Sequence, residues 1–126
     1  MIFVMLIYLK EHKVVSLIIT LFIAVFIFYM SSKSFASGTI GPEWEIKPFL
    51  YHFTIFFLLG LFLTISLYKK DNKLMIILSI LLAISYGITD ELHQFFVPGR
   101  ESSIFDVLTD TTGILLANVI LLISEN

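Results

Sequence analysis

Eight side chains in this 126-residue sequence have the types and spacing to act together on a substrate. Asp90, Glu91 and Gln94 lie within five residues, Tyr86 stands one helical turn before them, Arg100 follows shortly after, and Asp106 and Asp110 are four residues apart. His52 stands within an apolar run. Carboxylates and imidazole can take and return protons, so Asp90, Glu91 and His52 are the candidate general acid/base groups. Arg100 offers a planar fork for an anion. Gln94, Tyr86, Asp106 and Asp110 can bind hydroxyl, amine or amide groups and complete a candidate substrate-binding set with Arg100. On a helix Asp90 and Gln94 are i, i+4 partners and Glu91 and Gln94 are i, i+3, so the cluster covers a broad face. Asp106, Asp110, Gly113 and Ala117 fall on one stripe, whose small residues allow a neighbouring helix to approach.

Other chemistries are excluded by what is missing. There is no cysteine, so disulfides, thiolate metal sites and thiol nucleophiles are ruled out. No Gly-x-Ser-x-Gly, Walker loop or other recognised nucleophile motif occurs. A formal charge of −2 without a basic tail gives no footprint for nucleic acid. A divalent metal is chemically admissible on oxygen and imidazole ligands, but Asp-Glu-x-His is not a diagnostic metal spacing.

The elements that must position these groups are membrane helices. The chain is 58% hydrophobic and 14% charged, with mean hydropathy +0.97, whereas soluble domains average about 25% charged. A backbone in lipid must satisfy its own hydrogen bonds and so is helical. The sequence predicts an all-α, polytopic bundle of four transmembrane helices in one domain over residues 1–126, with spans at 14–30, 49–67, 74–96 and 104–123. The third apolar run stops at Ile88, giving about 22 Å of helix against a core of roughly 30 Å. The helix must therefore continue through Asp90 to Phe96, which places the acidic cluster within the membrane boundary. Residues 1–9 are apolar but too few to cross, and are expected to form an interfacial helix or an extension of the first span. A signal peptide ending near Phe35 to Ser37 is set aside, because the apolar run is too long and the charges are preceded by an apolar segment.

Lys10, Lys13, Lys69, Lys70 and Lys73 fall on one side of these spans, and Lys33, Lys47 and Arg100 on the other. The positive-inside rule then puts both termini in the cytoplasm of a cell-membrane protein, with the loops 31–48 and 97–103 outside and Trp44 as an interfacial anchor. His52, Asp90 to Gln94, and Asp106 with Asp110 all reach one depth, near the extracytoplasmic face. Ionisable groups at such depth usually face a bundle interior, which argues for one shared site. The helix dipole favours Asp106 and Asp110 at an N-terminus and disfavours Asp90 and Glu91 at a C-terminus. The second pair needs a cation, which Arg100, His93, His52 or a metal could supply, unless one carboxyl carries a proton.

Each of these residues also has a purely structural reading. Ser103 and Asp106 resemble a capping box. Asp110 is too deep to cap, so burial with a hydrogen-bonding or ionic partner is its plain role. Pro98 and Gly99 suit a type II turn. Arg100 could snorkel, yet its place beyond two carboxylates favours an anion clamp or an ion pair. Asp90 and Glu91 are adjacent, so one is expected to face the site and the other the interface or Arg100. His52 could be a satisfied packing residue, His93 could lie at the wet interface, and His12 is expected in a solvated loop. Phe56, Phe57 and Phe62 are lipid-facing or packing groups, since thirteen phenylalanines in a membrane chain require no cofactor.

The run Tyr86-Gly-Ile-Thr-Asp-Glu-Leu-His-Gln-Phe-Phe-Val-Pro-Gly-Arg100, followed by Asp106, Val107 and Gly113, resembles the VanZ family of small membrane proteins. Its Asp-Glu-x-x-Gln, Pro-Gly-Arg and Asp-Val elements occur at the family's spacing, and Lys47 and His52 match the Lys and His at the start of the family's second span. Two departures stand out: Asp110 where the family often has Asn, and Ala117 at a frequent Gly. The family's namesake is associated with teicoplanin resistance, so the resemblance implies a membrane protein acting near envelope lipids or cell-wall precursors.

Three kinds of function follow as expectations. The first is a protein whose outer-leaflet polar site binds or modifies the headgroup of a membrane lipid or lipid-linked cell-wall precursor, with no nucleic-acid partner and no obligatory cofactor. The second is an intramembrane hydrolase or transferase using Asp90 or Glu91 as base with His52 or His93 assisting. The third is a small transporter or proton relay on the same carboxylates, acting as a homo-oligomer because four helices enclose little volume.

Overall fold

The computed structural model describes residues 1–34, 46–70 and 72–124. Five helices follow one another: α1 (Ile2–Glu11), α2 (Lys13–Ser31), α3 (Ile46–Leu67), α4 (Lys73–Phe95) and α5 (Ile104–Ile123). Among the described residues there is no strand. α2 to α5 are long and apolar enough to cross a membrane, and the chain is a multi-pass membrane protein. Trp44 and most of the loop 31–48 lie outside the described residues, as does the side chain of Lys47.

The distribution of polarity is that of a bundle solvated by lipid. Phe22, Val25, Phe28, Leu81, Leu92, Phe95, Phe105 and Ile123 are exposed on its outside, whereas Thr20, Ser31, His52, Thr64, Ser79, Asp90, Glu91, Gln94, Asp110 and Asn118 are buried. Hydrocarbon surrounds apolar side chains at no cost, while polar groups must find partners inside. The apolar core contains Ile23, Ile27, Phe56, Leu59, Ala83 and Ile114. Phe56 is thus a central packing residue, with Phe57 and Phe62 partly buried around the core.

α3 and α5 run parallel and make the closest pairing, because glycine removes the side chain where they meet. A Cβ on Gly113 would stand 2.5 Å from the Phe53 carbonyl oxygen and 3.0 Å from Phe57 N, and one on Gly60 would stand 3.1 Å from Ile114 Cα. Ala117, next along the stripe, is fully buried. α4 runs antiparallel beside both: Ser79 meets Thr64 near one end and Gly87 lies against Phe56 and Asp110 towards the other. α2 closes the remaining side, joined to α4 by Tyr86 Oη donating to Ala24 O at 2.5 Å.

The third span does continue through the acidic motif, with α4 ending at Phe95 and Phe96 as its C-cap. Pro98 and Gly99 then turn the chain as expected: Gly99 has φ 78° and Arg100 N donates to Val97 O at 3.2 Å, as in a type II turn. The N-terminal apolar segment forms its own helix, not an extension of the first span, because the backbone breaks at His12 (φ −108°, ψ 60°). His12 is exposed, stacked on Tyr8 and bonded to its carbonyl at 2.9 Å. α1 packs Leu6 and Leu9 against Leu61, Ile65, Ala117 and Leu121, while Val4, Met5, Ile7 and Tyr8 remain exposed.

Candidate functional site

The site lies at the end of the bundle where α2 and α4 finish and α5 begins. His52, near the start of α3, places Nδ1 2.9 Å from Asp110 Oδ1 on α5 and 3.9 Å from Glu91 Oε1 on α4. His52, Glu91 and Asp110 are 5%, 4% and 1% exposed, so three helices bring three ionisable groups into a space closed to solvent. Gly87 makes this junction fit, since a Cβ there would lie 3.4 Å from Asp110 Oδ2 and 3.3 Å from Phe56 Cε1.

Hydrogen bonding divides the carboxylate oxygens into satisfied and unsatisfied ones. Asp90 accepts from Ser31 Oγ on α2 and, at its other oxygen, from Gln94 Nε2 at 2.9 Å. Gln94 also donates to Ser31 Oγ at 3.3 Å, which completes a network of three residues. Glu91 Oε2 accepts from the backbone N of Ser103 at 3.1 Å. Glu91 Oε1 and Asp110 Oδ2 are buried and have no hydrogen-bond partner among the described residues. Buried polar atoms are nearly always paired, so such exceptions ask for an explanation.

Glu91 is the acid that faces the site, against α3 and α5; Asp90 is buried too, turned to α2 and not to the interface, with Arg100 close enough for its charge to act on it. Consecutive residues on a helix point about 100° apart, and here each direction meets another helix. The expected capping box is incomplete. Ser103 is the N-cap of α5 and accepts from Phe105 N at 3.1 Å, but its own N–H goes to Glu91 and not to Asp106. The acid that completes the cap therefore comes from a different helix. Asp106, half-buried in the first turn of α5, acts electrostatically on His52, Glu91 and Asp110.

The other candidates lie around this centre. Arg100 is half-buried, donates to Met30 O on α2 at 3.4 Å and is close enough for its charge to act on Asp90 and Tyr51. Tyr86 gives its hydroxyl to Ala24 O. His93 is stacked on Phe28 at 4.8 Å and lies 3.0 Å from Ser32 Oγ, facing α2.

The sequence reading missed Ser31, the Ser103 amide and Tyr51, whose buried hydroxyl also lacks a partner among the described residues. Ser31 could have been found as the polar residue ending the first span at the depth of Asp90. It also missed a neutral cluster toward the opposite end, where Thr64 joins Ser79 at 2.8 Å and Asn118 at 2.9 Å. There the signal was polar side chains isolated in apolar spans.

Comparison with known proteins returns one family: the model described as VanZ/LLP1 matches residues 10–125. No curated protein and no solved structure matches the chain.

Proposed function

Because the chain belongs to the VanZ/LLP1 family, we propose that it is a cell-membrane protein whose polar site lies in the outer leaflet and binds or modifies the headgroup of an envelope lipid or lipid-linked cell-wall precursor. The five lysines around the start of α2 and the α3–α4 connection, Lys10, Lys13, Lys69, Lys70 and Lys73, support cytoplasmic termini, which directs the site outward. The observation that carries the reading is the pair of buried carboxylate oxygens without a hydrogen-bond partner among the described residues, Glu91 Oε1 and Asp110 Oδ2, beside His52 and within the candidate spans. Lipid headgroups bring hydroxyl and amine donors to that depth, and Arg100, half-buried beside Asp90, suits their phosphate. Asp90 and Gln94, satisfied by each other and by Ser31, hold α2 against the site, and Asp106 stands half-buried in the first turn of α5.

A second reading, an intramembrane hydrolase or transferase, draws on the 2.9 Å contact between His52 Nδ1 and Asp110 Oδ1. A buried imidazole–carboxylate pair can orient and take up a proton from a bound hydroxyl or water. Both readings also offer a route to altered teicoplanin susceptibility, through the lipid that carries the cell-wall precursor.

Lipids retained by the purified full-length protein provide the test. Mass spectrometry is expected to show one headgroup class enriched over the bulk membrane, and Arg100→Ala and Asp110→Asn are expected to reduce it several-fold. A retained profile equal to bulk membrane in all three proteins would sink the headgroup reading. Altered headgroups in cells expressing the wild type would favour the enzyme.

A further inference from the structure

We propose that His52, Glu91 and Asp110 bind one divalent transition-metal ion, zinc or manganese, where α3, α4 and α5 meet. Each residue offers one ligand atom, and the three atoms lie within 4.8 Å of one another. An ion bound at about 2.1 Å with tetrahedral angles separates its ligands by about 3.4 Å. The observed separations from Nδ1, 2.9 Å to Asp110 and 3.9 Å to Glu91, fall on either side of that value. The two carboxylate donors lie within 4.8 Å of each other, so all three groups must draw in around the ion, which takes the place of the proton in the 2.9 Å contact between His52 and Asp110.

Independent observations point to a cation at this place. Glu91 Oε1 and Asp110 Oδ2, on residues 4% and 1% exposed, lack any hydrogen-bond partner among the described residues. Glu91 Oε2 is held by the Ser103 amide, the outer support that orients metal-binding carboxylates. Three carboxylates, Glu91, Asp106 and Asp110, act on a single imidazole. A divalent ion offsets negative charge gathered in this way. One nitrogen and two oxygen donors suit zinc or manganese better than calcium, which prefers all-oxygen cages. Asp90 is not a ligand, because Ser31 and Gln94 already occupy its two oxygens.

The inference deepens the headgroup reading and rests on it for the use of the ion, which would give a lipid phosphate a ligand; the binding itself is measured without lipid. Full-length protein in detergent is stripped with chelator, dialysed against zinc or manganese ions alone, and subjected to elemental analysis. Wild type and Asp90→Asn are expected to retain close to one ion per chain, and His52→Gln, Glu91→Gln and Asp110→Asn less than about a tenth of that. Circular dichroism shows whether each variant is folded. The manganese-loaded wild type, which needs no variant, is expected to give spin-echo modulation from one imidazole nitrogen.

The proposal is overturned if folded wild type retains no ion, if all three variants retain it undiminished, or if the manganese spectrum lacks nitrogen coupling. Lipid retention by stripped and loaded wild type separates the two readings. Retention without any bound ion defeats only the metal site, and a bound ion with no headgroup enrichment in either form defeats only the headgroup reading.

Discussion

At the scale of the residue, Glu91 does two jobs with its two oxygens. Oε2 closes the N-terminal cap of α5 from another helix, and Oε1 faces His52. Removing the acceptor leaves the part-buried Ser103 N–H without its partner, and an unpaired donor costs about 1–3 kcal/mol, the lower end applying where burial is partial. Glu91→Leu is therefore expected to lower stability by about that amount, whereas Glu91→Gln, which keeps an acceptor, loses less. Thermal unfolding in detergent compares the two, and equal stability of Glu91→Leu and wild type would show that the cap does not depend on this contact. Asp90, one position earlier, points to Ser31 and Gln94. Sequence spacing placed both acids at the right depth but could not say which helix each would meet.

At the scale of the element, the parallel pair α3 and α5 carries the site, and its closeness depends on Gly113. A Cβ there would overlap the Phe53 carbonyl oxygen, a backbone atom that cannot swing away. Overpacking costs about 1–3 kcal/mol, against a gain of about 1 kcal/mol in helix propensity. Gly113→Ala is expected to be a net loss and to push Asp110 away from His52, so thermal stability should fall. At Gly87 a Cβ would instead meet the Phe56 ring at 3.3 Å, and Gly87→Ala is expected to be milder. An unchanged melting temperature for Gly113→Ala would contradict the α3–α5 contact. At the other end of the pair, Thr64, Ser79 and Asn118 fix the register of the same three helices, each such bond being worth about 0.6 kcal/mol in membrane proteins and at most about 1.7.

At the scale of the whole molecule, polar groups turn inward and apolar ones outward, as lipid solvation requires. The proposed orientation has a direct check, because the chain has no cysteine and any introduced thiol is unique. Glu101 and Lys70 are both exposed, in the connections at opposite ends of the bundle. In intact cells, Glu101→Cys is expected to react with a membrane-impermeant maleimide and Lys70→Cys only after permeabilisation. The reverse pattern would place the site on the cytoplasmic side and remove the outer-leaflet reading.

Length, hydropathy and the shortfall of the third apolar run determine four spans and carry the third through the acidic motif, because helix rise and bilayer thickness are fixed lengths. The small residues Gly113 and Ala117 on α5 likewise announce a close helix contact before any coordinates are known. Rotation about each helix axis is a different matter. It depends on how neighbours pack, so only the tertiary structure decided that His52 meets Asp110, that Asp90 belongs to α2, and that the cap of α5 is closed by an acid from α4. The break at His12, which folds α1 onto α3 and α5, was settled at the same level: residues 1–9 are apolar all round, and nothing in their pattern names the surface they cover.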